Sequence, residues 1–231
     1  MRRLGLIGGM SWVSTRMYYE DINRMVQRRE GKIASAPLLI ESLNFAELYG
    51  LREASDWDRA AGVLSDSAKR LEDAGAGALM IAANSMHRVY DKVAEAVDIP
   101  ILHIADCVGA KMAQAQLGSA ALLGTRNVMT EDFYRERLIA HGVDLMAPEP
   151  EFVEELDRVI YEELMLGKVT RNSERALKTI ITMLEQDGAQ AVVLACTELE
   201  LIVDVDANVL PIFDSAHIHA ESGVDWLLGA D

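Results

Sequence analysis

The sequence predicts an α/β protein made of two similar lobes, each built on a mainly parallel sheet. Three observations lead to this prediction: short apolar runs bounded by turn residues, helical stretches between them, and an internal repeat in which the second half of the chain echoes the first. With 50% of its 231 residues hydrophobic and 26% charged, the chain is able to bury a sizeable core.

Eight apolar runs have the length and composition of buried parallel strands. In chain order they are Leu4–Ile7, Pro37–Leu43, Ala78–Ala83, Ile101–Ile104, Ala120–Leu123, Val143–Met146, Ala191–Ala195 and Leu210–Phe213. Three stretches between them carry apolar residues at helical spacing, namely Trp57–Ala74, Phe152–Leu166 and Glu174–Gln186. Gly75 and Gly188 follow the first and the last of these stretches and indicate helix ends.

The internal repeat consists of three pairs of matching segments in the same order. Gly75–Ser85 is echoed by Gly188–Glu198, Leu4–Gly9 by Ala120–Thr125, and Ile99–Leu102 by Leu210–Phe213. We therefore expect lobes over residues 1–105 and 106–215, related by a pseudo-twofold axis, with a C-terminal helix over 216–231 packing on the first lobe. Under that symmetry Ala83 and Cys196 face each other across a ligand-binding cleft at the carboxyl ends of the strands.

The composition disfavours several classes of partner. A formal charge of −15 argues against nucleic acid and anionic membranes, because a polyanion gains nothing from this surface. The apolar run that follows Arg2 and Arg3 is too short for a signal peptide or a membrane span, so we expect a cytoplasmic protein. Cys107 and Cys196 are the only cysteines and are expected to be free thiols.

Cys196 ends an apolar strand at a polar turn. The helix that follows such a turn presents free backbone N–H groups and a positive dipole end, which favour a thiolate and bind a carboxylate. The alternative is a small buried thiol without a chemical role. The Thr-Glu that follows, and the polar symmetry-related turn at Asn84-Ser85, favour an acid/base role for Cys196.

Three motifs occur in order along nearly the whole chain: Gly8–Trp12, Asn84–His87 and Cys196–Glu198, with a closing segment at Ile212–Asp214. Together they resemble the signatures of the aspartate/glutamate racemase family, in particular its broad-specificity amino-acid racemase branch. The resemblance implies a two-lobed isomerase that uses neither pyridoxal phosphate nor a metal and is often a homodimer. It also implies one cysteine from each lobe, acting on opposite faces of the substrate α-carbon.

The sequence departs from that pattern at the first catalytic position, where Ala83 stands in place of a cysteine. Alanine can neither take nor give a proton, so a symmetric two-thiol mechanism is excluded. Three interpretations remain open. The chain is a racemase that uses Ser85, His87 or water on the first face, a one-face proton transferase similar to the one-cysteine decarboxylases, or a catalytically impaired or mutated form.

The resemblance also assigns substrate-binding residues by motif. They are Met10, Ser11, Arg52, Asn84, Ser85, Met86, Thr125, Lys168, Thr197 and Glu198. The alternatives are a simple tight turn for the first two, helix caps for the hydroxyl and amide residues, and a solvated lysine at Lys168. His87 is equally compatible with a core or capping role. His103, His217 and His219 lack the spacing of a metal site.

Two other functions are alternatives to catalysis. An amino-acid-binding or regulatory module would keep the cleft without the chemistry, and Ala83 favours this alternative. A dinucleotide site is disfavoured, because the glycines of Gly5–Gly9 lack the spacing that admits a pyrophosphate.

Overall fold

A computed structural model of the chain describes residues 1–49, 51, 54–205 and 208–230. The chain divides into two compact units, one formed by Met1–Ile104 with His219–Asp231 and the other by Ala105–Ile218. Each unit contains a four-stranded parallel sheet flanked by helices. The predicted α/β class with two lobes is therefore confirmed.

Unit 1 begins with alternating strands and helices. Its elements are β1 (Leu4–Gly8), α1 (Trp12–Glu30), β2 (Leu38–Ser42), α2 (Ala54–Asp73), β3 (Ala78–Ile81), α3 (Tyr90–Ala94) and β4 (Ile101–Leu102). Short 3-10 helices occupy Phe45–Glu47 and Ser85–Val89. The strand order is β2-β1-β3-β4, which places β1 and β3 at the centre of the sheet.

Unit 2 repeats this plan after helix α4 (Ile104–Gln114). Its elements are β5 (Ser119–Gly124), α5 (Arg126–Thr130), α6 (Asp132–Ala140), β6 (Asp144–Leu145), α7 (Pro150–Glu162), α8 (Arg171–Gln186), β7 (Val192–Ala195) and β8 (Ile212–Asp214). Helix α9 (Ser215–Leu228) starts in unit 2 and belongs to unit 1 from His219 onward. The 3-10 helices here are Leu164–Leu166 and Thr197–Leu201. The strand order β6-β5-β7-β8 matches that of unit 1.

The internal repeat extends to the strand registers. In unit 1, Gly5 pairs with Leu79, and Leu79 pairs with Ile101. In unit 2 the echoed residues make the echoed pairs, Ala121 with Val192 and Val192 with Ile212. The eight predicted strands are all present, although β4 and β6 are only two residues long. The matched sequence segments thus form matched parts of two sheets.

The glycine stops take the conformation that the sequence predicts. Gly75 and Gly188 have φ angles of 92° and 97°, a left-handed region that favours glycine. In each unit the residue after the glycine donates a hydrogen bond back to a carbonyl in the last helical turn, Ala76 to Leu71 at 3.0 Å and Ala189 to Leu184 at 2.9 Å. Helices α2 and α8 therefore end in the same capping motif.

The predicted helices differ from the observed ones mainly at their ends. The stretch Phe152–Leu166 is predicted as one helix, but the α-helix ends at Glu162 and Leu164–Leu166 forms a separate 3-10 turn. Gly167, in the left-handed conformation, closes this turn. In the described part of the chain, none of the helices is long and apolar enough to cross a bilayer.

Residues from 219 onward pack against unit 1. The Arg2 N–H donates to the Leu227 carbonyl at 3.0 Å. Gly223 lies so close to the sheet that a Cβ there would be 2.6 Å from the Met80 sulfur. The core of unit 1 therefore needs both ends of the described chain.

Candidate active site

The glycine turn after β1 carries two of the predicted substrate-binding residues. Gly9 has a φ of 86°, and a Cβ there would lie 2.1 Å from the Leu43 carbonyl oxygen, so glycine is required. Its N–H donates to Thr15 Oγ1 at 2.7 Å. Met10 and Ser11 are buried, and Ser11 is the N-cap of α1. The turn is thus held by α1 and by the residues after β2.

The Ala83-Asn84 turn lies beside the glycine turn, because β1 and β3 are parallel neighbours and Ile7 pairs with Ile81. Ala83 and Asn84 are both buried. The Asn84 side chain is 5% exposed, and neither its Oδ1 nor its Nδ2 has a hydrogen-bond partner among the described residues. Buried amides are nearly always hydrogen-bonded, so an unsatisfied one at a strand end indicates a place for a ligand or water.

His87 holds this turn from behind. Its Nδ1 lies 2.9 Å from the Ala83 carbonyl oxygen, and its Nε2 accepts from the Ile104 N–H at 3.2 Å. Both ring nitrogens therefore bond to the backbone. This geometry does not favour His87 as a proton acceptor for substrate, and of the groups considered for the first face it leaves Ser85, which is half-buried, and water.

Thr125 and Cys196 come together in unit 2, since they directly follow the paired residues Gly124 and Ala195 at the ends of β5 and β7. Both are buried. The Thr125 hydroxyl has no partner in the part of the chain that is described. Like Asn84, it is an unsatisfied polar group at the carboxyl edge of a parallel sheet, the edge at which α/β proteins bind ligands.

Cys196, Thr197 and Glu198 form a hydrogen-bonded group at this edge. The Cys196 thiol donates to Glu198 Oε2 at 3.2 Å, and the Thr197 hydroxyl donates to the same oxygen at 2.7 Å. Burial raises the pKa of the Cys196 thiol well above its usual value, and the neighbouring Glu198 charge adds to this. Cys196 is therefore a thiol with its proton directed at a carboxylate.

Three other predicted residues fall in different settings. Met86 is buried in the hydrophobic core of unit 1, together with the side chains of Met10 and Ala83. Lys168 is exposed, and its backbone N–H donates to the Glu163 carbonyl at 2.9 Å. Arg52 lies outside the described residues, so its assignment stays a prediction.

Sequence reasoning missed two residues that support the first turn. His219, in α9, is completely buried, and its Nε2 lies 2.9 Å from the Leu102 carbonyl oxygen while Tyr18 O–H bonds its Nδ1 at 2.9 Å. Tyr18 lies on the buried face of α1, and the weak apolar period of that helix gave no sequence signal for it. In the sequence, His219 was assessed only as a possible metal ligand. The described residues include no group of three or more His, Cys, Asp or Glu able to hold a metal ion.

A duplicated α/β fold with polar turns at the strand ends, one of them carrying a buried thiol, is typical of proteins that bind small molecules at this edge of the sheet. The sequence model of the family described as Asp/Glu/hydantoin racemase matches residues 7–223. The chain therefore belongs to the Asp/Glu/hydantoin racemase family and is an enzyme of the racemase class.

Relatives from three organisms are similar over nearly their full lengths. A crystal structure from Yersinia pestis, assigned to the Asp/Glu racemases, is 40% identical, with a TM-score of 0.91 over 99% of this chain and 100% of that one. An aspartate racemase homologue from Pyrococcus horikoshii is 34% identical, with a TM-score of 0.84 over 99% and 100% of the two chains. The broad specificity amino-acid racemase RacX of Bacillus subtilis is 24% identical, over 97% of this chain and 98% of RacX.

Proposed function

We propose that the protein is an amino-acid racemase that moves the α-proton of an acidic or broader amino acid through Cys196, without pyridoxal phosphate or a metal. The observation that carries the proposal is the Cys196 thiol, buried at a strand end and hydrogen-bonded to Glu198. A buried thiol beside a carboxylate can exchange its proton with that carboxylate, which an isolated structural thiol cannot do.

The proposed step begins when the Cys196 proton moves to Glu198, leaving a thiolate and a carboxylic acid. The thiolate removes the α-proton and becomes a thiol again, and the substrate becomes a carbanion stabilised through its carboxylate. Asn84 and Ser85 are the proposed donors to that carboxylate, and Thr197 joins them when its hydroxyl turns from Glu198 to the substrate. Their role is supported by the burial of all but Ser85 and by the unsatisfied Asn84 amide.

Racemisation also requires a proton to arrive on the opposite face. As part of this proposal, Ala83 and Cys196 lie on opposite sides of one bound amino acid, so the Ala83 side lacks an acid of its own. Ser85 or a water molecule supplies the proton there and regains one from solvent, while Glu198 releases to solvent the proton that it took from Cys196, which restores the starting state. We expect a slow racemase, because proton transfer on one face is faster than on the other.

Met10, Ser11, Thr125, Lys168, Glu198 and Arg52 complete the proposed substrate-binding set, with Met86 supporting the turn. The amino acid accepted is proposed to be acidic or broader, which is supported by the family and by the similarity to RacX, a broad specificity amino-acid racemase. A cytoplasmic homodimer is proposed from the family resemblance and from the two free cysteines.

A second candidate is an amino-acid-binding protein without turnover, or a one-face proton transferase, and Ala83 is the observation that favours either. Incubation with L-aspartate or L-glutamate in deuterated water separates the three. Racemisation yields the deuterated D-enantiomer, one-face transfer yields deuterated L-amino acid alone, and a binding protein yields neither. The Cys196→Ala variant is the control for background exchange.

A further inference from the structure

The rings of His87 and His219 form a buried pair in unit 1, with centroids 5.8 Å apart, directly behind the Ala83-Asn84 turn. Their hydrogen-bond partners fix the position of each ring proton. A backbone carbonyl can only accept and a backbone N–H can only donate, so the partner decides which ring nitrogen carries hydrogen.

His87 must carry its proton on Nδ1. The Ile104 N–H donates to Nε2 at 3.2 Å, which leaves Nδ1–H to donate to the Ala83 carbonyl at 2.9 Å. His219 must be the opposite tautomer. Its Nε2–H donates to the Leu102 carbonyl at 2.9 Å, so its Nδ1 accepts from the Tyr18 hydroxyl.

These hydrogen bonds lie at one edge of the sheet and connect elements that are distant in sequence. His87 joins the end of β3 to the start of α4, and His219 joins α9 and α1 to the end of β4. The Asn84 amide, unsatisfied in the described part of the structure, needs such support. Its side chain would otherwise gain by turning toward water, because a buried unpaired amide is costly.

We propose that His87 is a positioning residue for substrate binding: as the Nδ1–H tautomer it holds the Ala83 carbonyl and thereby keeps the Asn84 amide directed at the ligand, with His219 supporting the same edge. The inference rests on the proposed function, since it names what orients one proposed substrate-binding group. His87 acts through Asn84 and does not exchange protons with the substrate.

Two variants separate the two hydrogen bonds of His87. Asparagine places an N–H donor near the Nδ1 position, so His87→Asn can keep the bond to Ala83. Glutamine reaches the Nε2 position with an acceptor, so His87→Gln can keep the bond from Ile104 and loses the other. Asparagine is the smaller residue and leaves the larger cavity, so a purely structural role predicts that His87→Asn is the more damaging change.

The positioning role predicts the opposite order. We expect KM for α-hydrogen exchange of L-aspartate to stay within about threefold of the wild-type value in His87→Asn and to rise about tenfold in His87→Gln. KM rises in His87→Gln because only a fraction of the unbound variant presents Asn84 correctly, and the effect on kcat should be smaller. Equal KM values, or a lower KM in His87→Gln, would overturn the proposal.

A second measurement does not depend on turnover. Long-range ¹⁵N–¹H correlation spectra report the tautomer of each histidine, and we expect Nδ1–H for His87 and Nε2–H for His219. The side-chain NH₂ signals of Asn84, assigned by their loss in Asn84→Leu, should form one sharp pair in the wild type and in His87→Asn and should split or broaden in His87→Gln.

The two measurements distinguish failure of the inference from failure of the proposed function. If the wild-type protein exchanges no α-hydrogen, the proposed function fails, and the Asn84 signals alone decide the positioning role. An Nε2–H tautomer at His87, or Asn84 signals unchanged in His87→Gln, contradicts the positioning role whether or not the protein is a racemase.

Discussion

The Cys196 sulfur lies 3.2 Å from Oε2 of Glu198 and donates a hydrogen bond to it, with both side chains buried in the same short turn. The relationship stabilises the thiol over the thiolate, since a thiolate would face a carboxylate at short range. The resting protein is therefore ready to donate a proton from Cys196. In the proposed mechanism, Cys196 passes its proton to Glu198 before it acts as a base.

The first prediction concerns the pKa of Cys196. Burial, and then the Glu198 charge, hold this pKa well above its usual value, so the protein should show no Cys196 thiolate at neutral pH. Glu198→Gln removes the charge and should move the titration to lower pH. The measurement is the ultraviolet absorbance of the thiolate during a pH titration, made in a Cys107→Ser background that leaves Cys196 as the only thiol.

Glu198→Gln should also slow α-hydrogen exchange, although it increases the thiolate fraction, because glutamine cannot accept the thiol proton. General acid–base groups contribute roughly 10²–10⁴-fold in rate, so the loss should be easy to measure. Exchange that rises together with the thiolate fraction would exclude Glu198 as the acceptor of the Cys196 proton.

The second prediction concerns the opposite face. Ala83→Cys should raise the initial rate of D-enantiomer formation from L-aspartate and L-glutamate, because it supplies an acid/base group where the sequence repeat predicts one, and such groups typically add ~10²–10⁴-fold. Cys196→Ala should abolish exchange. An Ala83→Cys protein that folds and binds substrate but gains no rate would show that position 83 is not the missing catalytic partner.

The third prediction uses the unsatisfied side chains. Asn84→Leu and Thr125→Val replace buried polar atoms that have no partner among the described residues by apolar groups of similar shape, so each should leave the unfolding free energy unchanged or raise it by about 1–3 kcal/mol. Both should weaken binding of L-aspartate. Chemical denaturation and calorimetric titration measure the two effects, and a clear loss of stability in both variants would contradict the assignment of these groups to a ligand.

The fourth prediction concerns acid stability. Burial, and then the neighbouring His87, lower the pKa of His219 to about 3, while its bond to Leu102 opposes the shift. The unfolded chain binds a proton at this histidine below its ordinary pKa of about 6.5, whereas the folded chain does not. Stability from this residue is therefore fully present above that pH and is lost as the pH falls toward 3.

The expected slope is roughly 1.4 kcal/mol of unfolding free energy per pH unit for this one group. His219→Gln should reduce the measured slope between those limits by about that amount. A slope that is the same in His219→Gln and wild type would show that His219 titrates normally in the folded protein.

Local patterns predicted both sheets, because buried parallel strands are recognisable as apolar runs and the repeat fixed which runs correspond. Helix α1 was not predicted, since its buried face includes Ser14 and Thr15 and has a weak apolar period. Ser11, the N-cap of α1, was the sequence signal for the start of this helix, since serine is a common helix cap.

The candidate site was predictable as a set of strand-end residues but not as a set of hydrogen bonds. The motif placed Asn84 correctly at the end of β3, yet its unsatisfied amide depends on every residue around it. The tautomer of His87 likewise depends on Ile104, which belongs to a different element. Contacts of this kind have no periodicity along the chain, so pattern reasoning could not supply them.

The packing of residues 219 onward against unit 1 has a consequence for the order of folding on the ribosome. Unit 2 is one continuous segment that is synthesised before those residues, so a nascent chain that stops short of residue 219 already holds all of unit 2, including Cys196. The same chain lacks His219 and therefore the partner of Tyr18 and Leu102. The unit that carries the thiol is thus complete first, and the unit that contains Asn84 is completed only when the residues from 219 onward have been synthesised.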